Sequence, residues 1–366
     1  MLRRRTHGRT IAGVAAAVTL SFSSAGAVGA EPAPVGDPPI SAAAEVVVDG
    51  LVGPLHLDAP TVGRPLVSQS FAGVVSRVER SGELTDLIVE PGNFIGGVAA
   101  GPFGSTYYLS SGEAGAFLKV RDGNGATRTL ADLGAYESRR NPDAGVSYGL
   151  QGLDDACLST LPDIPGLAPY TGVVDSNPYE LTLTLLGVLV ADAAGNDILL
   201  VDWSGRIRTI AVLPPLPTVL SADAVAALGL DPCVEGATLN FEPVPTDVEL
   251  GPNLQLYVSA LPGGPEDPGL VPVLGARGGV FRVNPFTGTS QLLATGFAGA
   301  TNVAVAPGGA VYVAELFAGR VSKLVAGGPQ LVAEVNEPAA LEFYRGDLMV
   351  TTDVNGNGAL QRIDLP

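Results

Sequence analysis

The sequence predicts an all-β chain closed into a six-bladed β-propeller, and three observations predict it. Short Val-, Ala- and Leu-rich runs with partial period-2 alternation recur along the chain, each broken by Gly or Pro. Between Thr301 and Val335 four such runs, TNVAVAP, AVYVAEL, RVSKLVA and QLVAEV, fill 35 residues, separated at Gly308-Gly309, Phe317-Ala318-Gly319 and Gly327-Gly328-Pro329. Four antiparallel strands in about 40 residues make one propeller blade. The composition agrees: 46% apolar and 16% charged residues with 48 Gly and 30 Pro describe a large, turn-dense β protein rather than a disordered chain.

The chain opens with the basic MLRRRTHGRT, the apolar IAGVAAAVTLSF and the small-residue SSAGAVGA, the layout of a secretory signal peptide over residues 1–30 with cleavage after Ala30. The apolar run is too short for a membrane span. Arg3 to Arg5 leave general and twin-arginine export both open. Residues 31–44 lack periodicity and are rich in Pro and Ala, which predicts a flexible linker. The propeller then occupies residues 45–366, beginning with an isolated strand, EVVVDGL (45–51).

Blade 1 follows as PLHLDAP, PLVSQSF, VVSRVER and ELTDLIVEP; blade 2 as IGGVAAG, TYYLSSG, FLKVRDG and ATRTLADL. Blade 3 begins late, at NPYELTLTL, and blade 4 runs from PTDVELG to SQLLATGF. Blade 5 is the opening example. Blade 6 has only PAALEFY, DLMVTTD and ALQRIDL before the chain stops, so residues 45–51 are expected to supply its fourth strand by pairing with 359–365; an open ring would expose two sheet edges. The first inward apolar residues, Leu57, Val98, Leu181, Val248, Val303 and Leu341, are spaced 41, 83, 67, 55 and 38 residues apart. The long spacings mark insertions, expected as loops over 134–177, 213–245 and 261–278, with one short helix at SADAVAALGL (221–230) capped by Ser221. Cys157 and Cys233, the only cysteines, fall in the first two insertions and are expected to form a disulfide.

SNPYELTLTLLGVLVADAAGNDILLVD, VPTDVELGPNLQLYVSALPG, GGVFRVNPFTG and TNVAVAPGGAVYVAEL resemble the ScyD/ScyE family of secreted propellers over residues 45–366. The resemblance implies a six-bladed propeller of unsettled activity, and transfers no role in pigment production. More distantly the architecture is similar to the SMP-30/gluconolactonase, paraoxonase and NHL-repeat propellers.

Chemistry is read first from what is missing. After signal cleavage His56 is the only histidine, which excludes a His-Glu-x-x-His metalloprotease helix; no Gly-x-Ser-x-Gly elbow, P-loop or dinucleotide fingerprint is present. The formal charge of −17 falls to −21 once Arg3, Arg4, Arg5 and Arg9 are removed, so the surface as a whole disfavours nucleic acid and anionic lipid. The residues before the inward apolar positions are His56, Gly97, Glu180, Asp247, Asn302 and Ala340. If the starts of the innermost strands open onto one channel, His56, Glu180, Asp247 and Asn302 converge there as candidate metal ligands; carboxylate and amide oxygens suit Ca²⁺, and the alternative is a wet polar funnel. At the ends of the second strands, Asp192 and Glu315 are candidate ligand contacts or turn caps. Asp353 to Gly358 matches the start of a calcium loop, but between strands it reads as a hairpin turn. Tyr107, Tyr108, Tyr257 and Tyr312 read as core. Three functions stay open: a secreted, non-catalytic propeller binding a small molecule, glycan or extracellular protein through its loop-rich face; a metal-dependent lactonase or esterase; and a structural partner in an envelope complex. None involves nucleic acid or a stable membrane span.

Overall fold

The computed structural model describes residues 42–60, 62–264 and 267–365; the predicted signal peptide and most of the predicted linker lie outside them. The fold is a β-propeller, with seven four-stranded antiparallel sheets among the described residues. Sheets 1 to 5 are each built from four consecutive strands. They start at Pro54–Asp58, Phe94–Ala100, Pro178–Thr184, Pro245–Leu250 and Ala300–Val305. Sheet 6 takes Leu341–Tyr344, Asp347–Thr352 and Gly358–Ile363, and its fourth strand is Ala44–Leu51 from the other end of the chain. The pairing is antiparallel, from Ala44 opposite Ile363 to Leu51 opposite Gly358. The closing strand is thus where the sequence predicts it. The first strands of sheets 1 to 6 touch in chain order, and the last touches the first, closing a ring.

Period-2 alternation in these strands does not separate inside from outside. It aims one face of each sheet at the preceding sheet and the other at the following one. Leu57 packs with Ala340, Met349 and Leu360 of sheet 6. Ala99 packs with Leu181 and Val190 of sheet 3. The six inward apolar residues are all buried, and Tyr107, Tyr108, Tyr257 and Tyr312 are core. The segment from Asp353 is a turn joining the second and third strands of sheet 6, as expected of a hairpin.

The long connections are not loops. Ser147–Gln151 and Tyr170–Thr171 from the first insertion pair with Thr238–Phe241 and Leu216–Val219 from the second, giving the seventh sheet, in the order 170–171, 147–151, 238–241, 216–219. The disulfide Cys157–Cys233 joins the same insertions, with Cα atoms 5.8 Å apart. A helix, Ala222–Ala227, is capped by the Ser221 hydroxyl, which accepts from the Ala224 N–H at 3.1 Å. Leu274, from the third long connection, joins Leu150, Leu220, Val234 and Leu239 in one apolar core. Three stretches expected as separate loops therefore make one body, because each carries apolar residues that only the others can cover. A further helix, Leu133–Arg140, starts the first insertion behind Asp132, whose carboxylate accepts from the Ala135 N–H.

Candidate functional site

The first strands of the ring run in the same direction, so their starts lie at the end where the long connections emerge. His56 is fully buried in the first strand of sheet 1, and the next sheet offers Gly97 in place of a side chain. A Cβ at Gly97 would collide with the Glu180 carboxylate and lie 2.6 Å from the Leu181 nitrogen. The missing side chain lets Glu180 of sheet 3 reach back across sheet 2, and its Oε2 meets His56 Nδ1 at 2.9 Å. Burial pushes His56 down to about 3 and Glu180 well above the usual carboxylate range. The contact has the geometry of a salt bridge, and burial biases both partners toward their neutral forms. Glu180 Oε1 accepts from the Leu181 N–H at 2.9 Å, so Oε2 is the oxygen that meets the ring, whose other nitrogen is Nε2. That nitrogen is buried without a hydrogen-bond partner among the described residues. The ring stands edge-on to Tyr179 at 4.5 Å and Phe94 at 6.0 Å. Phe71 lies beyond Phe94, at 6.4 Å, and is exposed at the loop-rich end.

Asp247 and Asn302 do something else. Asp247 Oδ1 accepts from the Val248 N–H at 2.7 Å, and Oδ2 from the Val303 N–H of the next sheet at 2.9 Å. Asn302 Oδ1 accepts from the Leu341 N–H of the sheet after that, at 2.9 Å. These side chains follow the alternation of their strands and face the neighbouring sheet, where they hold the seams between first strands. Of the expected metal set, His56 and Glu180 meet each other, while Asp247 and Asn302 each accept from a backbone N–H of the next sheet. Among the described residues no group of three or more His, Cys, Asp or Glu stands where it could hold a metal ion.

Two residues further along the same strands lies a layer the sequence reading passed over: Asp58, Thr182, Glu249 and Glu342. Asp58 repeats the seam motif, accepting from the Ala100 N–H at 2.6 Å. The Thr182 hydroxyl donates to the Val248 carbonyl at 2.7 Å. Burial, then the negative charges of Asp247 and Glu180, raise Glu249 well above its ordinary range; burial and the neighbouring acids do the same to Glu342. Asp247 is raised by burial and by Glu180. Burial and mutual repulsion thus bias the acids at the inner ends of the sheets toward their neutral forms. The signal was available, since period-2 spacing puts Asp58, Glu249 and Glu342 on the same face as His56, Asp247 and Ala340.

Asp192 and Glu315 clamp the chain where it enters their sheets. Asp192 accepts from the Asn177 N–H at 2.7 Å and the Ser176 hydroxyl at 2.6 Å. Glu315 accepts from the Ala298 N–H and from Arg320 Nε, each at 2.8 Å, and Gln69 does the same for the Val52 N–H at 3.0 Å. Around Asp192 lies an acidic group that the sequence reading did not single out. Glu137 Oε1, Asp143 Oδ1 and Asp197 Oδ1 are buried with no hydrogen-bond partner among the described residues. Burial first, then the charges of Asp192, Asp143 and Asp175, push Glu137 up to about 7. The insertion body also carries an open pocket of about 500 Å³ beside the disulfide, lined by Leu153, Asp154, Ala156, Thr160 and Asp231.

No protein-family model matches the chain. No curated protein matches it in sequence. Solved structures do match its fold. A gluconolactonase from Xanthomonas campestris is 12% identical, covering 89% of this chain and 90% of its own, with a TM-score of 0.53. The PQQ-bound aldose sugar dehydrogenase of Streptomyces coelicolor is 14% identical over 89% of this chain and 99% of its own, with a TM-score of 0.51. A luciferin-regenerating enzyme is 9% identical over 89% of this chain and 96% of its own, with a TM-score of 0.54. At these identities the likeness is one of fold, and the fold hosts several chemistries.

Proposed function

We propose that the chain is a secreted propeller that binds a small molecule, glycan or extracellular protein on its loop-rich face, with the six-sheet ring as its six blades and scaffold. One observation carries this reading: three connections far apart in sequence fold into a single disulfide-pinned body with its own core, outside the ring. The ring closes without that body, so its stability does not account for it. A rigid scaffold presenting elaborated connections on one face is a common arrangement for recognition. The pocket beside Cys157 and Cys233 falls in the size range of small-ligand sites. Exposed Phe71, with Phe94 and Tyr179 behind it, adds an aromatic surface at the same end. Secretion is supported by the N-terminal sequence and by the disulfide. The oxygens of Asp247, Asn302, Asp192 and Glu315 already hold the fold, which argues for a structural role over ligation.

The test is a thermal-shift panel of mono- and oligosaccharides on the wild type and on Ala156→Arg, a substitution that fills the pocket from an exposed helical position. At least one saccharide class should raise the wild-type Tm in proportion to ln(1 + [L]/Kd). Ala156→Arg should lose that response while keeping the unliganded Tm. A shift untouched by Ala156→Arg removes the pocket. Lactone or ester turnover by chelator-treated protein on adding back Ca²⁺ would instead favour the hydrolase reading.

A further inference from the structure

Apart from the two chain ends that leave sheet 6 at Ala44 and Ile363, the opposite face of the ring is made of short turns: those joining first to second strands and third to fourth strands. Several carry large apolar side chains at their tips. Phe103 is 100% exposed, Leu185 97%, Val62 90% and Phe286 75%; Leu254 and Trp203 are also exposed. These residues belong to sheets 1 to 4, so the apolar tips form an arc over consecutive sheets. Within it Trp203 Nε1 donates to the Leu185 carbonyl at 3.0 Å, and the indole stands edge-on to Tyr107 of sheet 2 at 5.8 Å.

Leu254 shows that this exposure comes at a cost to the backbone. The turns Gly251–Gln255 of sheet 4 and Ala306–Ala310 of sheet 5 make the same two backbone hydrogen bonds. Gly251 N–H donates to the Gln255 carbonyl and Leu254 N–H to that of Gly251; Ala306 N–H donates to Ala310 and Gly309 N–H to Ala306. The left-handed position is glycine in sheet 5, with φ 84°, but leucine in sheet 4, with φ 59°. A leucine strained there and pointing at solvent contributes nothing to the core.

Charge is sorted by face as well. Arg80, Arg128 and Arg208 flank the apolar tips, and among the described residues none of them has a carboxylate partner. Much of the acidic excess, including Glu137, Asp143, Asp175, Asp231 and Glu242, belongs to the loop-rich end. First strands of four to seven residues put roughly 15–20 Å between the two faces. That exceeds a Debye length of about 8 Å at physiological salt, so an approaching surface meets this face's own charges, the arginines together with Glu83, Asp122 and Asp202, and not the net charge; Asp122 and Asp202 are held by backbone N–H groups of their own turns.

We propose that this turn face docks peripherally on a bilayer containing anionic lipid, with the apolar tips entering the interface and the arginines meeting headgroup phosphates. Separate apolar tips with basic neighbours suit a fluid interface, where each side chain inserts by itself, better than a close-packed protein contact. The expectation from net charge concerns the surface as a whole, and this face would be its exception. It is compatible with the described residues containing no helix long and apolar enough to cross a membrane.

Trp203 is the only tryptophan, so its emission reports on this face alone. The chain from Glu31 onward, without the predicted signal peptide, is mixed with vesicles of phosphatidylcholine, with and without about 30% phosphatidylglycerol, at about 0.05 M and 0.5 M salt. Expected are co-flotation with the anionic vesicles, a blue shift of Trp203, and loss of both at high salt. Phe103→Ser/Leu185→Ser/Leu254→Gly should weaken partitioning about 10-fold or more. Leu254→Gly by itself should weaken it in part while keeping or raising the Tm, which separates binding from folding. Arg128→Glu/Arg208→Glu should abolish the preference for the anionic lipid. No flotation, or flotation with Trp203 emission unchanged, overturns the proposal. So does a concentration-dependent dimer that the triple variant abolishes, which would make the face an interface between copies.

Discussion

At the scale of single residues, the molecule's most exposed weakness is its stock of buried acids. Glu137 is 3% exposed, its Oε1 has no hydrogen-bond partner among the described residues, and its carboxyl is raised to about 7. In the unfolded chain the same group titrates near its ordinary 4.5. The folded state therefore holds this proton more tightly. The resulting stabilisation is complete below about pH 4.5 and is lost as the pH rises through about 7. Glu137→Gln removes the ionisation and offers N–H donors beside Asp143 Oδ1 and Asp197 Oδ1, which lack partners. The variant should match the wild type near pH 5 and melt at a higher temperature at pH 8. A Tm difference that stays constant across melts at pH 5, 6, 7 and 8 would show that Glu137 does not titrate in this window. At this scale the sequence was legible in composition and opaque in direction. His56, Glu180, Asp247 and Asn302 were recognisable as equivalent positions of a repeat. That Asp247 and Asn302 accept from the next sheet while Glu180 reaches across sheet 2 to His56 depends on how each strand is rotated and on the bare Gly97 between them, and no single strand's sequence carries that.

At the scale of elements, legibility followed sequence distance. Strands joined by Gly- and Pro-marked turns could be read from local pattern, as could the Ser221-capped helix. The seventh sheet could not, because Ser147–Gln151 finds Thr238–Phe241 some ninety residues away and both are short. The helix Leu133–Arg140 falls almost wholly in a stretch expected as loop, although its Asp132 cap is a local signal. The two cysteines were the one long-range clue, and they join the same insertions as the sheet. Cross-linking 76 residues corresponds to about 4 kcal/mol or more of loop-closure entropy, an upper figure here because sheet 3 already brings the ends of that span together. Cys157→Ser/Cys233→Ser should therefore loosen the insertion body more than the ring. Hydrogen exchange should accelerate at 147–171 and 216–241 while the first strands of sheets 1, 5 and 6 stay protected. Uniform acceleration across all sheets would mean that the insertions and the ring unfold as one unit.

At the scale of the whole molecule, the decisive element is the one that ties the two ends of the chain together. Ala44–Leu51 is mostly exposed, and only Leu51, 1% exposed, is fully buried, packed with Leu57, Met349 and Leu360. Burying that one side chain stabilises the fold by about 2–3 kcal/mol, a large part of the net stability of many domains. Its backbone matters as much, since it pairs with Gly358–Ile363, which would otherwise be the bare edge of sheet 6. The first strand of sheet 1 also packs against sheet 6, so deletion should not spring the ring open outright. It should uncover Leu360 beside an unpaired strand, a combination that templates pairing between molecules. A chain lacking residues 44–51 is expected to aggregate on refolding. A synthetic peptide of residues 42–53 should restore soluble protein by occupying the edge in trans, while a scrambled peptide of the same composition should not. Soluble deletion protein with an unchanged Tm would show that sheet 6 is complete with three strands and that closure rests on contacts between first strands alone.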